Sequence, residues 1–236
     1  MDSEFPEIFL YMFSSIDGIA TGDHLDAAES DVALYFEKEY SFGSKSILVG
    51  RSTMEEGIPK DEIDLKKFKD TKVDRIDYVA PQKNGYYFIT IDSKGKLQWK
   101  TSFFCVFEDD GRTQKSQSIS ILSEQVSDEY LAYLKSIEVS YIFAGKETID
   151  LRVALKKLKK LFGINRIILE GGPTTSSAFI KEDLVDKIII LKAPYIASPG
   201  GKTIFGDAKL QKWELETLEI LNEKNSLLLT YVKPKK

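Results

Sequence analysis

Residues 167–175, Ile-Ile-Leu-Glu-Gly-Gly-Pro-Thr-Thr, place an apolar run, an acid, two glycines, a proline and two hydroxyls in one short stretch. The apolar run Ile167 to Leu169 reads as a buried strand, and the Gly-Gly-Pro that follows Glu170 as a tight turn into a helix. The first amides of a helix lack intrahelical acceptors and carry the positive end of its dipole, so an anion is stabilised there. Glycines let a phosphate approach the backbone. A turn made of Gly171, Gly172, Pro173 and Thr174 is therefore a candidate grip for a cofactor phosphate. The same letters also describe an ordinary strand-to-helix connection. Glu170, at the strand end, would bind a ribose or accept backbone hydrogens within the turn.

Three further segments share this design, small or polar residues after an apolar strand: 14–18, 50–53 and 144–148. In an open α/β sheet, ligands collect outside the carboxyl ends of the strands, so the four segments together would line one cleft. Asp17 would hydrogen-bond a polar heterocycle or help place a proton; its plainer reading is an Asx-turn before Gly18. Arg51 would reach a phosphate or lie on the surface. Thr53 would cap the helix after Gly50 or donate to a bound phosphate. Gly145 opens the third segment. His24 reads as a loop residue. None of these segments is a Gly-x-Gly-x-x-Gly or a P-loop. No Ser/His/Asp or Cys/His nucleophile set stands out.

The bulk numbers narrow the field. The chain has 236 residues, 42% hydrophobic and 30% charged, with a net charge of −4. That length fits one large α/β domain, and residues 1–236 are read as one. The acidic balance argues against a nucleic-acid partner. One cysteine, Cys105, and one histidine, His24, give neither a disulfide framework nor a Cys/His zinc site, so no metal is expected, and a reducing, cytoplasmic setting is. No apolar run reaches the roughly 20 residues that span a bilayer. The acidic start Met1-Asp2-Ser3-Glu4 lacks a signal-peptide pattern.

The elements that must position these residues are legible from periodicity. Strands are expected at 8–13, 46–49, 76–80, 86–91, 103–107, 118–122, 139–143, 166–169 and 187–191. A closing antiparallel pair is expected at 214–221 and 227–232, around a turn at 222–225. Further turns are expected at 92–95 and 109–111. Helices are expected at 25–40, 128–136, 151–162 and 176–181. The stretch 59–74 reads as a polar surface excursion with a short helix, and 51–54 as a helix or turn. Lys156, Lys157, Lys159 and Lys160 read as the solvated face of an amphipathic helix. The alternation predicts an α/β sheet, mixed because of the terminal pair, with helices on both faces.

The pieces Phe13-Ser14-Ser15-Ile16-Asp17-Gly18-Ile19-Ala20, Ile47-Leu48-Val49-Gly50-Arg51-Ser52-Thr53 and Ile168-Leu169-Glu170-Gly171-Gly172-Pro173-Thr174 carry a family resemblance. Leu184-Val185-Asp186-Lys187, Ala193-Pro194-Tyr195-Ile196 and Gly200-Gly201 extend it over almost the whole chain. In this order and spacing the sequence resembles the riboflavin-biosynthesis reductases, the C-terminal reductase domain of bifunctional deaminase-reductases. The resemblance implies a three-layer αβα, dihydrofolate-reductase-like fold with a mixed, mostly parallel central sheet.

It also implies a homodimeric reductase of a small heterocycle that uses NADPH. Gly50 and Thr53 would approach the pyrophosphate, and Gly171, Gly172 and Thr174 would hold the phosphate region from the other side. Asp17 would lie near nicotinamide and substrate. Two departures bear on this. The stretch Met54-Glu55-Glu56-Gly57-Ile58-Pro59-Lys60 has no following Leu-Thr-x-Arg segment for a substrate phosphate, which leaves a pterin or other heterocycle as an alternative substrate. Glu124 stands where such reductases often place a base against the adenosine 2′-phosphate, which leaves NADH as an alternative cofactor unless Lys94, Lys96 or Lys146 compensates. A non-catalytic nucleotide-binding protein on the same scaffold is the remaining alternative.

Overall fold

The structure, a computed structural model, describes residues 4–59, 62–81, 85–104, 116–197, 199–221 and 225–234, with the side chains of 26 and 27 excepted. Its elements fall into two compact units: 1–6 with 45–165, and 7–44 with 166–236.

In the unit of residues 45–165, β2 (Ser46–Gly50), β3 (Tyr87–Ile91), β5 (Ser116–Leu122) and β6 (Ser140–Phe143) run parallel in that spatial order. The short β4 (Phe103–Phe104) joins β5 antiparallel. All four parallel strands therefore end on one edge. α3 (Arg51–Glu56) follows β2 directly. α4 (Asp128–Ser136) starts where the Ser127 hydroxyl accepts from the Tyr130 amide, and α5 (Leu151–Phe162) where Asp150 accepts from Val153. α5 ends at Gly163, whose φ of +68° is the left-handed stop that glycine adopts without cost. Leu97, Trp99, Tyr130 and Tyr141 anchor the core, each nearly or fully buried. The Tyr130 and Tyr133 hydroxyls donate to the carbonyls of Leu97 and Trp99, so 97–99 is tied to α4.

In the other unit, β1 (Glu7–Ser14) lies between β7 (Arg166–Leu169) and β8 (Lys187–Lys192), parallel to both. β10 (Ser226–Val232) pairs antiparallel with β8 and with β9 (Glu214–Leu221). The expected closing pair is therefore present. α1 (His24–Ala27), α2 (Glu29–Ser41) and α6 (Pro173–Lys181) complete the unit.

Four expectations need correction. The single helix at 25–40 is two: Ala28, at φ −97° and ψ 23°, breaks it while its amide bonds back to the carbonyls of His24 and Leu25. The strand at 76–80 is one bridge, Tyr78 to Tyr141; the Ser140 hydroxyl takes the Ala80 amide and Ile76 is exposed. The polar excursion 59–74 holds a 3-10 turn at Lys66–Phe68, yet Ile63, Leu65, Phe68 and Val73 pack against the core. Its charged letters conceal an apolar minority spaced to reach inward. The helix expected at 176 begins at Pro173, whose fixed φ suits the first helical position. The turns expected at 109–111 and 222–224, and residues 105–107 of the strand at 103, lie outside the described residues. On the lysine face of α5, Lys156 pairs with Glu4 and Lys157 with Asp77.

Candidate active site

The turn after β7 is built from both sides. Gly172 precedes α6 in extended conformation and no side chain caps the helix. Pro173 has no amide hydrogen, so the uncapped donors of the first turn are those of Thr174 and Thr175. Thr174 is exposed. A Cβ on Gly171 would stand 2.6 Å from the Thr175 Cβ, so this glycine is required by the turn's packing on itself. The Ser176 hydroxyl donates to the Gly171 carbonyl over 2.9 Å. From outside, Gly206, at φ +54°, lies so close that an added Cβ would meet the Pro173 carbonyl at 2.9 Å. Asp207 accepts from Lys181 and Ser177, which hold its carboxyl down to about 2.

Glu170 sits at the end of β7 with Oε1 shut off from solvent and without a hydrogen-bond partner. Burial pushes this carboxyl up to about 7, while the Tyr35 hydroxyl works against the rise. Glu39 of α2 is pushed up to about 9, first by burial and then by the charge of Glu170. Two such carboxyls disfavour joint ionisation, so the pair retains a proton near neutrality.

Asp17 follows β1 in a loop latched to the segment after β8. The amides of Ile16 and Ala20 donate to the carbonyls of Tyr195 and Lys202, and the Lys202 amide donates to the Thr21 hydroxyl, each over 2.8 Å. Lys192 Nζ donates to the Ile16 carbonyl. A Cβ on Gly201 would fall 2.3 Å from the Thr21 carbonyl oxygen. Asp17 Oδ1 accepts from the Ser15 hydroxyl at 2.7 Å and from the Ala197 amide at 3.1 Å, and these bonds hold the carboxyl below its usual range. Asp17 is thus an exposed, ionised acceptor. Because β1 and β7 are parallel, the Asp17 loop and the Glu170 turn leave the same edge of their unit.

In the unit of residues 45–165, Gly50 is the residue before α3, again with no side-chain cap. Thr53 lies exposed inside α3, so it does not cap it. Arg51 is ion-paired with Glu55 one turn on. A Cβ on Gly145, at φ +130°, would stand 2.0 Å from the Thr148 carbonyl oxygen, so the loop 145–150 needs glycine there. Lys94, Lys96 and Lys146 are exposed, as is Glu124.

Sequence reasoning passed over Asp92 and Glu39 and read His24 as a loop residue. Asp92, at the end of β3, has an unpartnered buried Oδ1 while Oδ2 accepts from the Leu97 amide, and burial raises its carboxyl. Its letters, Asp-Ser-Lys-Gly, signal only a turn. His24 is buried at the start of α1 and Glu39 is half-buried in α2, and no local pattern marks either as such. Three or more His, Cys, Asp or Glu side chains do not gather as a metal site among the described residues, and no described helix is long and apolar enough to cross a membrane.

The profile of the RibD C-terminal domain matches residues 6–229. A 2,5-diamino-6-ribosylamino-4(3H)-pyrimidinone 5′-phosphate reductase of Archaeoglobus fulgidus is 28% identical over 111 residues, 46% of this chain and 50% of that protein. This match thus spans half of that relative's length. The protein of the same name from Methanothermobacter thermautotrophicus is 27% identical over 200 residues, 84% of this chain and 81% of its own length. Acinetobacter baumannii RibD superposes with a TM-score of 0.60 at 17% identity, covering 98% of this chain and 59% of that one. The likeness shows the fold: the dihydrofolate-reductase-like, three-layer αβα class with a mixed, mostly parallel sheet.

Proposed function

The chain belongs to the RibD C-terminal domain family, and on that premise we propose that it is an NAD(P)H-dependent reductase of a small heterocyclic substrate. The observation that carries this reading is the uncapped start of α6 behind Glu170-Gly171-Gly172. A helix end that presents free amides and no side chain fits a phosphate group of a dinucleotide. A reduced nicotinamide, when bound, supplies the hydride. Gly171, Gly172, Pro173 and Thr174 shape the phosphate grip of their unit, with the Thr174 hydroxyl as an added donor. Gly50, Arg51 and Thr53, with Gly145, are the corresponding proposal for the other unit. There Arg51 must share its charge with Glu55. Asp17 is assigned to the reacting end, where its ionised carboxylate accepts N–H groups and orients a ring rather than donating a proton.

The names of the archaeal relatives suggest a ribosylaminopyrimidine 5′-phosphate as substrate. The missing arginine after 54–60 favours a second reading, a pterin or unphosphorylated heterocycle. NADPH is the proposed cofactor, with NADH as the alternative raised by Glu124. Homodimeric assembly, a cytoplasmic location and a single reductase domain over 1–236 belong to the same proposal. The single-domain part is supported by a family match that runs through both units. Calorimetric titration with NADPH and NADH tests the grip. Loss of nicotinamide absorbance with the phosphorylated ribosylaminopyrimidine, its dephosphorylated form and dihydropterin tests the substrate. Failure to bind either dinucleotide would remove the reductase reading.

A further inference from the structure

Strand β9 carries its polarity the wrong way round for a surface strand. All of it but Leu221 is exposed, and among the described residues it pairs with β10 alone. Residues paired across a ladder point to the same face of the sheet, so the register sorts the side chains. Thr217, Glu219 and Leu221 stand with Thr230, Leu228 and Ser226. This is the face that α2 covers: Leu221 and Leu228 pack with α2 residues in one core, and Glu219 pairs with Lys38. The opposite face carries Leu218 beside Leu229 and Ile220 beside Leu227.

An unbroken alternation would put Glu216 next in that apolar row. Instead the register shifts between Thr230 and Tyr231, Glu216 is the residue left over, and Leu215 pairs with Tyr231. The bulge re-aims Leu215 onto the apolar face. Glu216 pairs with Lys187, whose amine lies over the Phe9 ring of the α2 core. The acids of β9 are thus turned toward the covered side and its aliphatics toward solvent. Exposure is 52% at Leu215, 53% at Leu218 and 61% at Ile220, while Leu227, Leu229 and Tyr231 are half-buried. On β8, Ile188 and Ile190 continue the row and are buried. The charge that β8 adds to this face, Lys192 beside Leu227, is bonded to the Ile16 carbonyl.

A sheet with one wet face places its polar residues outward and its leucines inward. Here the order is reversed, and a contiguous apolar patch of this kind marks an interaction surface. We propose that the face made by Leu215, Leu218, Ile220, Leu227, Leu229 and Tyr231 packs on the same face of a second copy of this chain. The charge pattern selects that occupant. The chain carries a net charge of −4, so two copies repel over much of their surface and must meet where carboxylates are turned away. A charged partner would bury its charges unpaired on this face. Under two-fold symmetry the face meets the same six uncharged side chains, packed as two sheets pack face to face. The reading above includes a homodimer without a surface, and this face supplies one.

The test is the mass of the full chain in solution, measured by sedimentation equilibrium over a wide range of concentration. The wild type should have the mass of two chains. Leu218→Lys and Ile220→Lys should each have the mass of one and keep the circular dichroism of the wild type, because both side chains are exposed in the single chain. Leu218→Glu should also be monomeric. Mixed in equal amounts, L218K and L218E should associate again, since each patch then faces its opposite charge, and added salt should weaken the mixed pair. A wild type that stays monomeric overturns the inference and leaves the face to a different partner. A dimer that survives the lysine substitutions overturns it by placing the contact elsewhere, as does a mixture that stays monomeric. No nicotinamide enters the experiment, so the two readings fail separately. A monomer that oxidises NADPH would sink this inference alone, and a dimer that binds no dinucleotide would sink the reductase reading alone.

Discussion

Tyr11 of β1 and Tyr35 of α2 lie face to face, their centroids 4.0 Å apart, and each hydroxyl donates to the other's backbone carbonyl. This reciprocal clasp fixes the helix on the strand. Tyr35→Phe keeps the stack and removes one buried bond. It should cost about 1 kcal/mol in chemical denaturation. An unchanged denaturation midpoint would show that the clasp is held by the rings alone.

Glu170 gives the stability a pH dependence of defined sign. Its folded pKa, about 7, lies above the ordinary 4.5. The neutral carboxyl is therefore favoured by folding, and its contribution is complete below 4.5 and lost as pH rises through 7. Glu39, pushed to about 9, extends the loss to higher pH. Melting temperature should fall between pH 5 and about 9, and Glu170→Gln should flatten the lower part of that slope. A variant that melts with the wild-type pH profile would place the proton elsewhere.

Gly171→Ala brings a Cβ to within 2.6 Å of the Thr175 Cβ. The contact is between short, stiff groups, so overpacking should cost roughly 1–3 kcal/mol. Thr175→Gly in the same chain should restore much of the loss, which a purely cofactor-facing glycine would not show. Thermal unfolding of the single and double variants decides it.

Thr174 is exposed, so Thr174→Val should change stability by less than about 0.5 kcal/mol. Dinucleotide binding should weaken by roughly 1.5–3 kcal/mol if the hydroxyl donates to a charged phosphate oxygen. Equal calorimetric affinities would withdraw this residue from the grip.

Glu124 is exposed after β5, its amide bonded to the Gly145 carbonyl over 3.0 Å. Glu124→Lys leaves that backbone bond in place and reverses the charge. The ratio of NADPH to NADH affinity should rise, and the gain should shrink with added salt. A ratio that does not move means that the 2′-phosphate is read by other residues.

Most of the frame was legible because its signals are local. The helices at 128–136 and 151–162 match their expected bounds, since each has a capping Ser or Asp and one apolar stripe. Strands at 166–169 and 187–192 announce themselves as isoleucine-rich runs. The misreadings fall where tertiary contacts override composition. Ile63, Leu65, Phe68 and Val73 are scattered among charges, and only the folded core shows what they cover. The strand expected at 76–80 had the right letters but only one bridging neighbour. Of the candidate site, the turn at 170–174 was readable as a turn. The burial of His24 and of the Glu170 Oε1 was not, because it depends on elements distant in sequence.

The latch between the Asp17 loop and residues 195–202 bears on the order of events during synthesis. β1 is made early, yet both of its strand neighbours begin after residue 165. Closing so long a span is entropically slow, and contacts of this range delay folding. A nascent chain halted before residue 166 would hold its first strand unpaired on both sides, a ready template for aggregation. On this topology the Asp17 loop takes its latched shape only after Tyr195 and Lys202 have been made.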